Sequence, residues 1–397
     1  MQKKLSKMIE TQEKQTTKRS RMMKNKTNRS ILAAFISAAT LMGAGMSLQA
    51  DTVYWGNTDG NGGDGNWTDA GWYTTNNGDG TFSAATSQPG SADDVISGQT
   101  SNASTITVNS DVGTINSLFL THNNSAPRTV SNLIIDNSGS LNITDTLRTH
   151  FSNAGATSSI TVNDGGSLTV GGTSLLGMRF ESGFNFVQNG GTTDFQSIIL
   201  NQRGMPEVAY EMKSGNMSAT NLSFGGGQIT VQNSDARRFE ISGGTVEITG
   251  AVADNDPGTY QVMGSGADSI SIGSMTLDYL ATDNGGPSKI SFLLDEGGVT
   301  LTDISGAATF VDTVLQIGQM DGSALAPGTY NLLRANSGIS LSGVTLQDNL
   351  TDGLSVSDWG VNSNSPDTLY VTVIPEPSTL LLLGLAGLAM ITLRRKH

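Results

Sequence analysis

The chain has 397 residues, room for two or three domains, and no cysteine, which excludes a disulfide framework and cysteine-ligated zinc. Its 49 glycines, 6% aromatic and 14% charged residues suit short strands and many turns rather than an acidic disordered chain. Ten of the 22 lysines and arginines fall in residues 1–30 and three are Arg394, Arg395 and Lys396. Residues 51–393 keep nine basic against 33 acidic side chains, a body that repels phosphate backbones and is no partner for nucleic acid.

Residues 1–50 read as a secretory signal peptide. A basic region ends at Lys24, Lys26 and Arg29, an apolar run follows over 31–42, and Leu48-Gln49-Ala50 offers a small residue for cleavage between Ala50 and Asp51. The basic stretch is long, and a start at Met22 or Met23 leaves a signal of ordinary length.

Residues 51–98 hold three of the four tryptophans, in Tyr54-Trp55-Gly56 and Asn66-Trp67-Thr68-Asp69-Ala70-Gly71-Trp72. This segment reads as an N-terminal cap over the first coil, since an open strand edge invites pairing with other chains. Trp55, Trp67 and Trp72 are also candidate glycan contacts. The opening resembles that of secreted bacterial proteins with autotransporter-associated β-helix repeats. Calcium is the cofactor the segment comes nearest to. Asn57-Thr58-Asp59-Gly60-Asn61-Gly62 has the alternation of an EF-hand loop but begins with Asn and has Thr68 at its twelfth position. Gly62-Gly63-Asp64-Gly65-Asn66 imitates a calcium-binding nonapeptide once, with Trp67 where Asp belongs. Both are read as solvated turns, and no cofactor is predicted.

Over residues 99–310 apolar and polar residues alternate in short bursts, the pattern of strands. Examples are Ile106-Thr107-Val108, Leu141-Asn142-Ile143, Ile160-Thr161-Val162, Leu168-Thr169-Val170, Ile229-Thr230-Val231 and Val246-Glu247-Ile248. Glycine turns recur at Gly113, Gly139, Gly166, Gly191, Gly215, Gly244, Gly273 and Gly298, at intervals of 24 to 29 residues. Such a period means stacked coils of three short strands and three turns, a right-handed parallel β-helix (β-solenoid) of the all-β class. Leu141, Leu168 and Val246 then share an inward register whose members are all expected to be apolar, while Asn142, Thr169 and Glu247 point outward. A leucine-rich repeat has a similar period, but its template is matched once, at residues 115–123. Residues 311–373, with Thr329-Tyr330-Asn331-Leu332-Leu333 and Leu369-Tyr370-Val371-Thr372-Val373, read as a C-terminal β cap.

The chain closes, over 374–397, with Pro375-Glu376-Pro377-Ser378-Thr379, the largely apolar residues 380–393, and Arg394-Arg395-Lys396. The apolar stretch is read as a helix at the short limit for a membrane span, and the basic cluster would hold the end cytoplasmic with the body outside. This tail resembles the PEP-CTERM sorting domain. The resemblance implies a membrane-embedded transpeptidase, exosortase, as partner, transient inner-membrane contact, and a Gram-negative producer of extracellular polysaccharide, itself a further candidate partner.

Signs of catalysis are sparse. Asn57-Thr58-Asp59 and Asp93-Asp94 match two elements of polygalacturonase-like β-helices, but the Gly-His-Gly and Arg-Ile-Lys elements are missing. His122 and His150 lie one coil apart, and His397 follows the tail. There is no G-x-S-x-G elbow. The expectation is a secreted, non-enzymatic surface or matrix protein, structural or adhesive. A polysaccharide lyase or hydrolase and a carbohydrate-binding module are the competing classes.

Overall fold

A computed structural model describes residues 51–56, 63–69, 71–76, 82–97, 103–120, 130–149, 158–177, 183–200, 208–225, 237–279, 286–363 and 366–376. The expected signal with Ala50, the Asn57-Thr58-Asp59 element, the strand at 229–231, His122, His150, His397, Pro377 and the rest of the tail lie outside the described residues.

The described chain is all β and winds as a parallel β-solenoid of eight turns. Each turn begins with a first leg: Ser104–Val108, Ser131–Ile135, Ser158–Val162, Phe184–Gln188, Val208–Met212, Arg237–Ile241, Thr259–Met263 and Lys289–Leu294. These eight stack in register, and with Gly65–Asn66 before them and Val314–Gln319 and Thr345–Asn349 after them they form an 11-stranded sheet. The second and third legs form a 19-stranded sheet. In turns one, two and eight they are separate strands, as in Ser140–Ile143 followed by Leu147–Thr149. In turns three to seven they are one bent strand: Ser167–Leu176, Thr192–Leu200, Asn216–Phe224, Gly244–Asp254 and Ala267–Leu277. The expected three short strands per coil are thus two strands in the middle of the stack, and the corner survives as a slip in register, between Val170 and Thr173 for example.

The expected register is observed. Leu141 pairs with Leu168, and the column continues through Thr193, Met217, Val246, Ile270, Thr302 and Leu333. All eight are buried, whereas Asn142, Thr169 and Glu247 face outward. Two of the inward residues are threonines, so the expectation of an all-apolar column fails there. Thr193 Oγ1 donates to Gln188 Oε1 at 2.8 Å, and Thr302 Oγ1 lies 3.4 Å from the Tyr260 hydroxyl, so neither is left without a partner inside.

The glycines divide. Gly139, Gly166, Gly191 and Gly215 immediately precede the second leg and Gly244 opens it, but Gly273 lies inside Ala267–Leu277 and Gly298 closes a turn with Asp295. Gly113 falls where the pairing of Asp111–Ile115 with Ser140–Ile143 slips. The repeat length is correspondingly uneven, from 24 residues between Thr193 and Met217 to 32 between Ile270 and Thr302.

Polar and aromatic columns run through the core beside the aliphatic ones. Ser104, Ser131 and Ser158 fill the first inward position of successive first legs, and the Ser131 hydroxyl lies 3.3 Å from that of Ser104. Two residues further along, Phe186, Tyr210, Phe239 and Tyr260 are register partners with ring centroids 4.5, 5.2 and 6.1 Å apart. Each such pair contributes about 0.5–1.5 kcal/mol beyond the area it buries.

Antiparallel strands flank the stack. Thr52–Trp55 pairs antiparallel with Trp72–Asn76 and in parallel with Asp94–Ser97, which carries Ser117–Leu120 of the first turn. At the other end, parallel pairing continues past residue 310 through Val314–Gln319 to Thr345–Asn349. Only then does the chain reverse, as Asp367–Pro375 inserts antiparallel between Gly328–Ala335 and Leu354–Asn362.

Candidate functional site

The three faces of the solenoid differ in what they offer. First-leg outward residues are half-buried or buried from turn to turn and carry local ion pairs, Lys213 with Glu211 at 2.9 Å and Arg238 with Glu240 at 2.8 Å. The third-leg outward column starts apolar, with Ile96 and Phe119 and then Leu175 and Ile199 on either side of Arg148, whose guanidinium sits 5.7 Å from the Phe119 ring centre.

The second leg is the open face. Alternation sends Phe195, Met217, Val246 and Ile270 into the core and leaves two outward columns in turns four to seven. One is Thr192, Asn216, Thr245 and Ser269; the other is Asp194, Ser218, Glu247 and Ser271. Rows repeat at the strand spacing of about 4.8 Å, and the columns stand about 7 Å apart. The lattice holds two carboxylates and no basic side chain. Its members are tied laterally: Ser218 Oγ donates to Asp194 Oδ1 at 2.7 Å, and Thr192 Oγ1 to Ser167 Oγ at 3.2 Å. The result is a flat array of hydroxyls, amides and carboxylates with fixed spacing, suited to a repeating partner rich in hydroxyl groups.

The residues singled out in the sequence lie elsewhere. Trp55, Trp67 and Trp72 are 1, 0 and 3% exposed. They pack on one another, with Trp72 4.8 Å from Trp55 and 4.7 Å from Trp67 between ring centres. The indole N–H groups of Trp55 and Trp72 donate to the backbone oxygens of Gly63 and Trp67. No ring face is left for a sugar, so the expected glycan contacts are corrected: the rings form an internal cluster because their apolar area is better spent against each other than in water.

Asp93 and Asp94 are likewise occupied. Asp93 accepts from the Gly90 and Asp51 N–H groups at 2.7 and 3.3 Å, and Asp94 Oδ1 from Asn116 Nδ2 at 2.8 Å. Asp64 Oδ1, in the nonapeptide-like turn, accepts from the Thr105 N–H at 2.9 Å. Among the described residues no three His, Asp or Glu side chains converge as a metal site would need.

A buried charged corner was not anticipated. Arg237 and Asp256 are both fully buried, 3.8 Å apart, and Arg237 Nη1 donates to Pro257 O at 2.9 Å. Burial pulls the Arg237 guanidinium down from its ordinary range and pushes the nearby Asp254 carboxyl up. Asp254 accepts from the Ser288 hydroxyl and from the Asp278 and Tyr279 N–H groups, donors that hold the corner closed rather than a ligand. No spacing rule links Arg237 to Asp256, so nothing in the residue pattern pointed to the pair.

At the C-terminal end the fold runs into the tail motif. Pro375 ends the strand Asp367–Pro375, and the Glu376 N–H donates to Gly353 O at 2.6 Å. Residues 373–396 match the model of the PEP-CTERM protein-sorting motif. The chain carries a PEP-CTERM tail. It is therefore an exported protein of the Gram-negative cell envelope, sorted by exosortase. The PEP-CTERM match covers the tail and leaves the solenoid unassigned. No curated protein and no solved structure matches the chain.

Proposed function

We propose that this PEP-CTERM protein is a non-enzymatic, structural or adhesive component of the cell surface or extracellular matrix, and that its second-leg face lies along extracellular polysaccharide. The observation that carries the reading is the outward-facing lattice of Thr192, Asp194, Asn216, Ser218, Thr245, Glu247, Ser269 and Ser271, all exposed except the half-buried Ser218 and Thr245. Hydroxyl and amide groups repeating every strand match the many weak hydrogen bonds a glycan chain makes, and a flat face admits a long polymer without a pocket. The absence of a basic side chain from the lattice favours a neutral polymer over an acidic one.

The body, residues 51–376, is to be screened on a glycan array and by co-sedimentation with the host's own polysaccharide. Ser218→Trp and Thr245→Arg would roughen the face while leaving stability within about 0.5 kcal/mol. Binding should fall at least tenfold in the pair. A body that binds no glycan, or binds equally well with both changes, removes the reading. Release of oligosaccharide by the purified body would favour the enzyme instead.

A further inference from the structure

The sorting motif is not held off the body by a linker; its first residues are part of the last sheet. Pro375 is in register with Leu354, and Ile374 with Ser355. The Glu376 N–H bond to Gly353 O extends the pairing by one residue. The turn that brings this acceptor into place contains Asp352 and Gly353, both in the left-handed region, with φ of 57 and 71°. On its other side the same strand is covered by Gly328–Ala335 only as far as Val373. Residues 374–376 are consequently held by one neighbour and are solvent-exposed, Ile374 at 39%. Pairing of that kind belongs to the low-stability end of a structure and opens locally without global unfolding.

The space beyond Glu376 is short. Pro377, Ser378 and Thr379 alone separate it from the apolar run that begins at Leu380. Three residues reach at most about 11 Å when fully extended. An enzyme that works at the membrane and grips an extended peptide needs the motif free on both edges, and the solenoid cannot follow the motif into a cleft. Freeing residues 374–376 adds about 10 Å of reach and roughly doubles the leash.

We propose that unpairing of residues 374–376 from Leu354–Asn362 is an obligatory step before exosortase engages the motif, with Gly353, Leu354 and Ser355 acting as positioning residues that set its rate. The inference rests on the sorting role of the tail and adds the part of the body that controls it.

The test uses the full chain in its own host, with tail loss followed by pulse-chase and mass spectrometry. Inserting Gly-Ser-Gly-Ser between Ile374 and Pro375 should speed tail loss at least threefold. The double variant Ser355→Cys with Ile374→Cys places two cysteines at register partners, at a separation a disulfide can bridge, in a chain with no other cysteine. When oxidised it should lose its tail at least tenfold more slowly, and added reductant should restore the wild-type rate, which a misfolded body would not do. Each single-cysteine variant, which keeps the backbone pairing but cannot form the bridge, should lose its tail at the same rate with and without oxidant. Wild-type rates in the oxidised double variant, or no effect of the insertion, overturn the unpairing step alone. A wild-type chain that keeps its tail overturns the sorting reading beneath it.

Discussion

Tyr210 lies flat on Phe186, with ring planes 6° apart and centroids at 4.5 Å, and its hydroxyl donates to Gln188 Oε1 at 2.8 Å. Phe186 and Gln188 share one first leg and Tyr210 lies on the first leg of the next turn, so both contacts join those two turns. The Tyr210 hydroxyl also lies 3.0 Å from Thr193 Oγ1 on the second leg, with Gln188 Oε1 as the acceptor between them. Thr193 Oγ1 donates to the same oxygen, and Gln188 Nε2 donates to Asn216 O at 2.9 Å. Burial pushes the Tyr210 hydroxyl far above its ordinary range, which keeps it a donor.

This network is a place where a shape-matched apolar change should fail alone and succeed in company. Gln188→Leu removes the acceptor that the Thr193 and Tyr210 hydroxyls share; they lie 3.0 Å apart, so one can still donate to the other and one donor is stranded inside the core, at a cost of about 1–3 kcal/mol. Adding Thr193→Val and Tyr210→Phe removes both hydroxyls as well, and the triple variant should recover most of the loss. Urea unfolding of residues 51–376 measures this. A triple variant as unstable as the sum of its parts would mean that the network is not what holds Gln188.

The glycine column gives a second prediction. A Cβ at Gly215 would stand 2.4 Å from Gly191 O, the oxygen that accepts the Asn216 N–H at 2.9 Å, and its φ is 85°. Gly215→Ala must therefore displace a ladder bond and also bear the left-handed penalty of about 1–2 kcal/mol. Gly322→Ala, at φ 76° with nothing within 4 Å of the added carbon, bears the penalty alone. Thermal unfolding should show at least twice the loss for Gly215→Ala. Equal losses would mean that backbone conformation, not the close approach of successive turns, selects glycine in the column.

What could be read from the sequence was what depends on alternation. The match of Gly139-Ser140-Leu141-Asn142-Ile143 to Gly166-Ser167-Leu168-Thr169-Val170 put Leu141 on Leu168, where it is found. The PEP-CTERM tail was legible because it is one contiguous motif. Thr193 and Thr302 escaped because alternation tells inside from outside only by polarity, and their partners come from another leg. The pairing of Arg237 with Asp256 escaped for the same reason. The tryptophans were visible, but whether they face a sugar or each other depends on packing between Thr52–Trp55 and Trp72–Asn76. The open lattice lay in plain alternation too. Which face stays uncovered is a property of the folded coil.

The register itself remains testable. Leu168 is fully buried above Leu141, so Leu168→Asp places an unpaired carboxylate in the stack, at a cost of several kcal/mol against the roughly 5–15 kcal/mol that holds a domain together. Thr169→Asp changes an outward residue and should cost about 0.5 kcal/mol or less. Denaturant unfolding of both variants should separate them clearly, and similar losses would refute the register.

The last prediction concerns the start of the body. Asp51 is pinned to the sheet from both sides of its peptide: its N–H donates to Asp93 Oδ1 at 3.3 Å, and its carbonyl accepts from the Asp94 N–H at 3.0 Å. Asp93 Oδ2 is fixed by the Gly90 N–H at 2.7 Å, so the carboxylate is aimed before any change at residue 51. Cleavage at the site expected from the sequence, between Ala50 and Asp51, would turn that amide into an ammonium and the hydrogen bond into an ion pair. The site is exposed, and the gain is about 0.2–1 kcal/mol. A body beginning at Asp51 should therefore be more stable by that amount than the same body acetylated on its α-nitrogen, and the difference should shrink with added salt. Asp93→Asn also weakens the Gly90 contact, so the informative quantity is the coupling in a double-mutant cycle with acetylation. Acetylation should cost nothing further once Asp93 is replaced. Full additivity across the cycle would show that the new amino terminus and Asp93 do not interact.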